Sequence, residues 1–429
     1  MTAQEPGEHT RSVHAGSEPD PATGARVPPI YQTTSYVFDD ADTAADRYAL
    51  NAEGDIYSRI SNPTVAALER RVAALHGAPA AVATASGMAA LDAATFVLAE
   101  PGDNVVTAAG IYGGTTAYFR HAAGRREIEP RFVETLDLDA YAAAIDEDTA
   151  YVHCETIGNP ALVTPDLARI ADLAHDAGVP LLVDNTFATP HLCRPIEHGA
   201  DLVWESTTKW LHGAGTTVGG VLIDGGTFEW APDRYPELAG DNPAYHDTDF
   251  SRDFPDAPFA AAARFRSVRT LGCQQSPFDA WQTLQGIESF PLRMDRHCEN
   301  AAIVAQFLEE REDVAWVLYP GLESHETHEN ANRYLQGSYG GMIAFGLAGG
   351  YEAGKRVCEE TELISFLANV GDAKTLIIHP GSTTHGQLTP DQQRASGVTP
   401  DLVRLSVGIE DPADILADID RAIERASRG

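Results

Sequence analysis

Between Asn62 and Asp224 the sequence alternates short apolar runs with segments of helical periodicity, and this alternation limits the chain to a small set of folds. The first helix of the series is explicit. Asn62 caps it, Pro63 takes its first position, Val65, Leu68, Val72 and Leu75 recur at helical spacing, and Gly77 ends it. Ala80 to Thr84 then reads as a strand, Ser86-Gly87 as a turn and Met88 to Leu98 as a helix closed by Pro101-Gly102. Further strands are expected at Asn104 to Ala108, Ala150 to Glu155, Pro180 to Thr186, Leu202 to Ser206 and Gly220 to Asp224, with helices such as Pro165 to Ala177 between them. Repeated strand, turn and helix predicts an α/β fold with a mostly parallel central sheet and helices on both faces. Such sheets collect ligands at the carboxyl ends of their strands.

The flanks differ. Residues 1–60, rich in Pro, Gly, Thr and Asp, read as an arm laid on another surface. A loop-rich insertion, dense in Asp, Pro, Tyr and Trp, is expected over 226–264; it includes Pro243-Ala244-Tyr245-His246. Helices resume at Pro277 to Ile287 and after Pro291 towards Glu310, and an amphipathic helix closes the chain near Pro412 to Ala426. The expected division is an arm (1–60), an α/β domain (61–270) and a smaller C-terminal α/β domain (271–429).

Charge narrows the partners. With 30 basic against 63 acidic residues the formal charge is -33, which repels nucleic acid and anionic membrane alike. Only three of the basic residues are lysines, and the acidic, arginine-biased composition resembles that of proteins from saline cytoplasm. Cys154, Cys193, Cys273, Cys298 and Cys358 form no C-x-x-C pair, so neither a disulfide scaffold nor a zinc site is indicated. His325 and His328 in HETHEN read as a solvated helix start, and no metal site is expected. Residues 1–16 lack the layout of a signal peptide and no apolar run has the length of a membrane span, so a cytoplasmic enzyme is expected.

One of the three lysines, Lys209, follows an apolar run in Glu205-Ser206-Thr207-Thr208-Lys209-Trp210. An amine kept partly neutral by burial there can form a Schiff base with an aldehyde cofactor such as pyridoxal phosphate. That cofactor also needs a carboxylate for its pyridine nitrogen, donors for its phosphate and a flat group against its ring. Asp184, in LLVDNT with Thr186, ends a strand expected to be buried. Ser86, Gly87 and Met88 lie where a strand turns into a helix, so backbone N–H groups can meet a phosphate. Ser206 and Thr208 offer hydroxyls, Tyr57 and Arg59 a phenol and a charged fork, and Tyr112 a ring beside two glycines. Arg404, inside a strand-like run, wants an anion, either a substrate carboxylate or an internal partner.

In this order the motifs YSRISNPT, SGMAA, IYGGT, ETIGNP, VDNTFATP, STTKW, HPGSTTH and VRLSVG resemble the pyridoxal-phosphate enzymes of cysteine and methionine metabolism. That family includes cystathionine synthases and lyases and O-acetylhomoserine sulfhydrylase. The resemblance implies a fold type I pyridoxal-phosphate transferase. By that resemblance Lys209 would carry the cofactor and move protons, Tyr112 would stack on the ring and join Lys209 in catalysis, Asp184 would pair with the pyridine nitrogen, and Thr186 would also bind the cofactor. Ser86, Gly87, Met88, Ser206 and Thr208 hold the phosphate from one subunit, while Tyr57 and Arg59 reach it from a neighbour. Arg404, Asn159 and Asn369 contact the substrate. It also implies a homo-oligomer, a tetramer built from dimers that share active sites.

Within the family, Asn369-Val370-Gly371-Asp372-Ala373-Lys374-Thr375, the 226–264 insertion and DNTFATPHLCRPIE resemble the sulfhydrylase branch. The implied reaction converts O-acetylhomoserine and sulfide to homocysteine; cystathionine γ-synthase and methionine γ-lyase are the alternatives. Relatives commonly read Gly-Gly-His-Gly after the lysine, where this chain has Leu211-His212-Gly213-Ala214-Gly215, and His212 is given no role.

Overall fold

The computed structural model describes residues 6–245, 247–387, 389, 393, 394 and 397–427. Residues 1–5 of the arm and His246 of the insertion lie outside the described residues. The larger sheet contains β1 (Ala80–Thr84), β2 (Asn104–Ala108), β3 (Glu129–Val133), β4 (Thr149–Glu155), β5 (Leu181–Asp184), β6 (Leu202–Glu205) and β7 (Gly220–Asp224), in the order β1-β7-β6-β5-β4-β2-β3. β2 to β6 run parallel, whereas β7 is antiparallel to both of its neighbours, β6 and β1. Every residue of β2, β4, β5, β6 and β7 is buried. Because side chains alternate along a strand, consecutive burial means that both sheet faces are covered.

β3 was not anticipated. Its sequence, EPRFV, carries a proline and two charges and is half-exposed, which suits an edge strand bonded only to β2. The insertion, by contrast, is no peripheral loop. Trp230, Tyr235, Phe250 and Phe259 are buried in the main core, and the Tyr235 hydroxyl donates to the Ala150 carbonyl of β4 (2.9 Å).

Local chemistry fixes the leading helix, Pro63–His76. The Asn62 side chain accepts from the Thr64 N–H (3.0 Å), and Gly77 closes the helix at φ 68°, a conformation glycine adopts without strain. Arg71 on this helix is fully buried and donates to the Ser12 and Ala15 carbonyls and the Ser17 hydroxyl, so it pins the root of the arm.

The smaller sheet contains β8 (Val314–Leu318), β9 (Met342–Leu347), β10 (Ser365–Phe366), β11 (Leu376–Ile378) and β12 (Leu402–Ser406), in the order β10-β11-β12-β9-β8. The two apolar cores meet on one helix, Phe290–Glu309. Met294 and Cys298 pack in the first, and Ala301, Val304 and Leu308 in the second. His325 and His328 face the Ala161 and Pro320 carbonyls, and no group of metal-holding side chains occurs among the described residues. No described helix is long and apolar enough to cross a membrane.

Candidate active site

A cavity of about 790 Å³ opens at the carboxyl ends of β1, β4, β5 and β6 and is closed from the other side by residues of the smaller sheet and its loops. It brings together Ser86, Gly87, Met88, Tyr112, Asn159, Asp184, Thr186, Ser206, Thr208, Lys209, Asn369 and Arg404. Their positions follow from the strands that carry them. Asp184 is the last residue of β5, and the chain leaving β6 at Glu205 turns at once, with the Lys209 N–H donating to the Ser206 carbonyl (3.2 Å).

The Lys209 Nζ donates to Asn369 Oδ1 (2.6 Å). Burial, reinforced by the positive charge of Arg404, lowers the amine pKa to about 8, which leaves a substantial neutral fraction in mild alkali. Asp184 is buried and accepts at Oδ1 from the Thr186 N–H (2.9 Å) and hydroxyl (2.5 Å). Burial raises its pKa against the pull of those two donors, and the charge of Glu205 adds to the rise. It has no cationic partner among the described residues, so the site lacks the positive group that a buried carboxylate needs.

At another wall, Ser86 caps the helix Gly87–Leu98 by accepting from the Ala89 N–H (3.1 Å). This helix start abuts the turn after β6 so closely that a Cβ on Gly87 would stand 2.8 Å from the Ser206 Cβ. Only glycine allows that approach. Thr208 locks the facing turn, its hydroxyl donating to the Gly219 carbonyl (3.1 Å) and accepting from the Gly219 N–H (3.0 Å). The result is a helix N-terminus with two hydroxyl-bearing residues opposite it, which suits a phosphate.

Tyr112 precedes the short helix Gly113–Ala117, and its ring lies where a Cβ on Gly114 would be 2.3 Å from Cε1. Arg404, on β12, donates from Nη1 to Asn159 Oδ1 (3.2 Å). Burial lowers its pKa to about 10, so it stays cationic at neutral pH. Tyr57 and Arg59 do not line this cavity. The Arg59 guanidinium stacks on the Tyr57 ring at 5.4 Å and donates to the Arg269 carbonyl, and Tyr57 is 41% exposed. His212 lies outside the lining too, with Nε2 2.8 Å from the Thr216 hydroxyl.

The sequence reading passed over Glu155 and His385, which both line the cavity. Glu155, like Asp184, is a carboxylate at the end of a buried strand, but His153 interrupts the apolar run that precedes it. His385 had only its place in HPGSTTH. The residues present fit pyridoxal phosphate on observations of the site itself: a buried carboxyl without a cation, an amine of lowered pKa, and a glycine-walled helix start.

Residues 9–424 match the sequence model of the Cys/Met metabolism PLP-dependent enzymes. A homocysteine synthase from Schizosaccharomyces pombe is 48% identical over 97% of this chain and 98% of its own length. An O-acetyl-L-homoserine sulfhydrylase from Thermus thermophilus is 47% identical over 96% of this chain and 99% of its own. Among solved structures, one assigned as an O-acetylhomoserine (thiol)-lyase from Campylobacter jejuni, containing pyridoxyl-lysine-5'-monophosphate, superposes with a TM-score of 0.93 at 36% identity over 97% of this chain and 99% of that one.

Proposed function

The chain belongs to the pyridoxal-phosphate-dependent enzymes of Cys/Met metabolism, and within that family we propose that it converts O-acetyl-L-homoserine and sulfide to L-homocysteine and acetate. The observation that carries this reading is the Lys209 amine, held by Asn369 in one cavity with the Asp184 carboxyl and the Arg404 guanidinium. The choice of γ-replacement is supported by full-length relatives named homocysteine synthase and O-acetyl-L-homoserine sulfhydrylase, since replacing the acetate on Cγ by sulfide is what gives homocysteine.

Pyridoxal phosphate, when bound, supplies an aldehyde that condenses with amines and a protonated ring that withdraws electrons from the attached carbons. Ser86, Gly87, Met88, Ser206 and Thr208 hold its phosphate, Asp184, set by Thr186, its ring nitrogen, and Tyr112 its face. Arg404 takes the substrate carboxylate and Asn159 steadies Arg404. Lys209 Nζ, neutral at the start, would remove the proton from Cα, hand it on to the bound cofactor–substrate pair and, neutral again, remove one from Cβ. Acetate leaves Cγ with the C–O electron pair, hydrosulfide adds at Cγ, and the proton transfers then run in reverse order, Nζ carrying one proton at a time. Asn369 aims Nζ between transfers, and the lowered pKa lets one amine act as base and then acid.

The Tyr57–Arg59 segment lies away from its own chain's cavity, which supports a second reading of the arm: it completes the phosphate site of a neighbouring subunit in a dimer, two of which form a tetramer. The cytoplasm is the proposed compartment, in keeping with five free cysteines.

The test is a panel of O-acetyl-, O-succinyl- and O-phosphohomoserine against sulfide, methanethiol and cysteine, run in high salt. O-acetylhomoserine with sulfide should give the highest kcat/KM. A preference for cysteine over sulfide would assign the protein to cystathionine synthesis instead.

A further inference from the structure

Glu155 has no place in the chemistry above, yet it is 5% exposed, lines the cavity and ends β4 directly beside Asp184 at the end of β5. Two buried carboxyl groups side by side are costly unless each has work to do. Asp184 faces a ring nitrogen. Glu155 faces backbone: its Oε1 accepts the Tyr112 N–H at 2.7 Å, and the nearby Asn159 N–H favours its charged form. Those two residues lie on different segments, Tyr112 directly before the helix Gly113–Ala117 and Asn159 in the chain that leaves β4. One carries the ring proposed to stack on the cofactor. The other carries the amide that receives Arg404, the proposed holder of the substrate carboxylate.

We propose that Glu155 is a positioning residue that ties these two segments together, so that the stacking ring and the carboxylate-binding guanidinium are set as one unit. A carboxyl is suited to this because it offers two acceptor oxygens on a rigid strand end. Burial, followed by the charge of Asp184, raises the Glu155 pKa, while the two N–H groups oppose the rise. A protonated carboxyl still accepts, so the tie persists in either charge state.

This inference rests on the cofactor and substrate ends proposed above, and the experiment separates the two. Apoenzyme is titrated with pyridoxal phosphate, and the visible circular dichroism of the reconstituted enzyme and its Kd for a non-reacting amino acid, L-norleucine, are measured. Tyr112→Ala should change the first signal and Arg404→Ala should raise the second Kd about tenfold or more; if neither does, the assignment of the ends is wrong and the proposal falls with it.

With those controls in place, Glu155→Ala should weaken cofactor binding about tenfold, reduce the dichroism and weaken norleucine binding together. Glu155→Gln, which keeps one acceptor oxygen and the shape of the side chain, should shift both readouts about threefold, and it decides the matter should the alanine variant not fold. Glu155→Gln leaving both unchanged, or moving one without the other, would overturn the link.

Discussion

The cavity wall around Lys209 and the arm that carries Tyr57 and Arg59 are built on opposite principles. The wall is made from the ends of wholly buried strands, where each polar group has a short, directed partner: Asn369 for Lys209, Thr186 for Asp184 and Gly219 for Thr208. The arm exposes Val27, Val37, Tyr48 and Tyr57, and beyond Ser17 it is held to the body by a few hydrogen bonds such as those of Asn62 and Arg59. Chemistry that needs sub-ångström aim belongs on the wall. A contact made only on assembly can sit on an arm with exposed apolar residues, because association then buries them.

The comparison breaks first at Lys209. Lys209→Ala should lower turnover of O-acetylhomoserine by about 10³–10⁴-fold, because the only candidate amine for the cofactor and the proton carrier are both lost. Its thermal unfolding midpoint should stay within a few degrees of wild type, since no core packing is removed; a large fall would make the lysine structural. Asp184→Asn comes next, with a loss of about 10²-fold in kcat and weaker cofactor binding by titration of the apoenzyme. Unchanged kcat in that variant would remove Asp184 from the ring nitrogen.

The arm is tested by complementation. Arg59→Ala should weaken cofactor binding about tenfold, the scale of one charge-assisted hydrogen bond. Mixing Arg59→Ala subunits with inactive Lys209→Ala subunits should then restore activity at limiting cofactor, because a hybrid contains one site with an intact lysine and an intact neighbouring arm. No recovery on mixing would confine Arg59 to its own chain.

What could be read beforehand follows the same division. Asp184 and Lys209 were legible because burial forces near-continuous apolar runs, and a charge at the end of such a run stands out. The Asn62-Pro63 start and Gly77 stop are local chemistry and needed no tertiary information. The direction of β7 was not legible, since GVLID is equally apolar whichever way it runs. Nor was the burial of Trp230, Tyr235 and Phe259, because irregular backbone leaves no period to show which side chains face inward. Glu155 was missed for a different reason. Its partners are backbone N–H groups of two segments, which no residue pattern records.

The smallest predicted effect lies at the root of the arm. The helix Glu8–His14 is joined to the helix Phe290–Glu309 through His191, whose Nδ1 lies 3.1 Å from Glu8 Oε2 and whose Nε2 lies 3.0 Å from Asp295 Oδ1. Burial pulls the imidazole pKa down, but the two carboxylates outweigh it and the net shift is upward from 6.5. Both ring nitrogens face acceptors, so only the protonated ring can donate to both. A raised folded-state pKa means that the bridge contributes fully below the unfolded value and fades as pH rises through the folded one. His191→Gln should therefore cost about 0.5–1 kcal/mol in denaturant unfolding at pH 6 and close to nothing at pH 9. Equal losses at both pH values would show packing against Phe290, whose ring centroid is 6.0 Å away, rather than charge. Turnover at saturating cofactor should not change in either case, because an arm root that shifted catalysis would have to act through the cavity wall, and the helix Glu8–His14 is bonded to His191 and Arg71, neither of which lines the cavity.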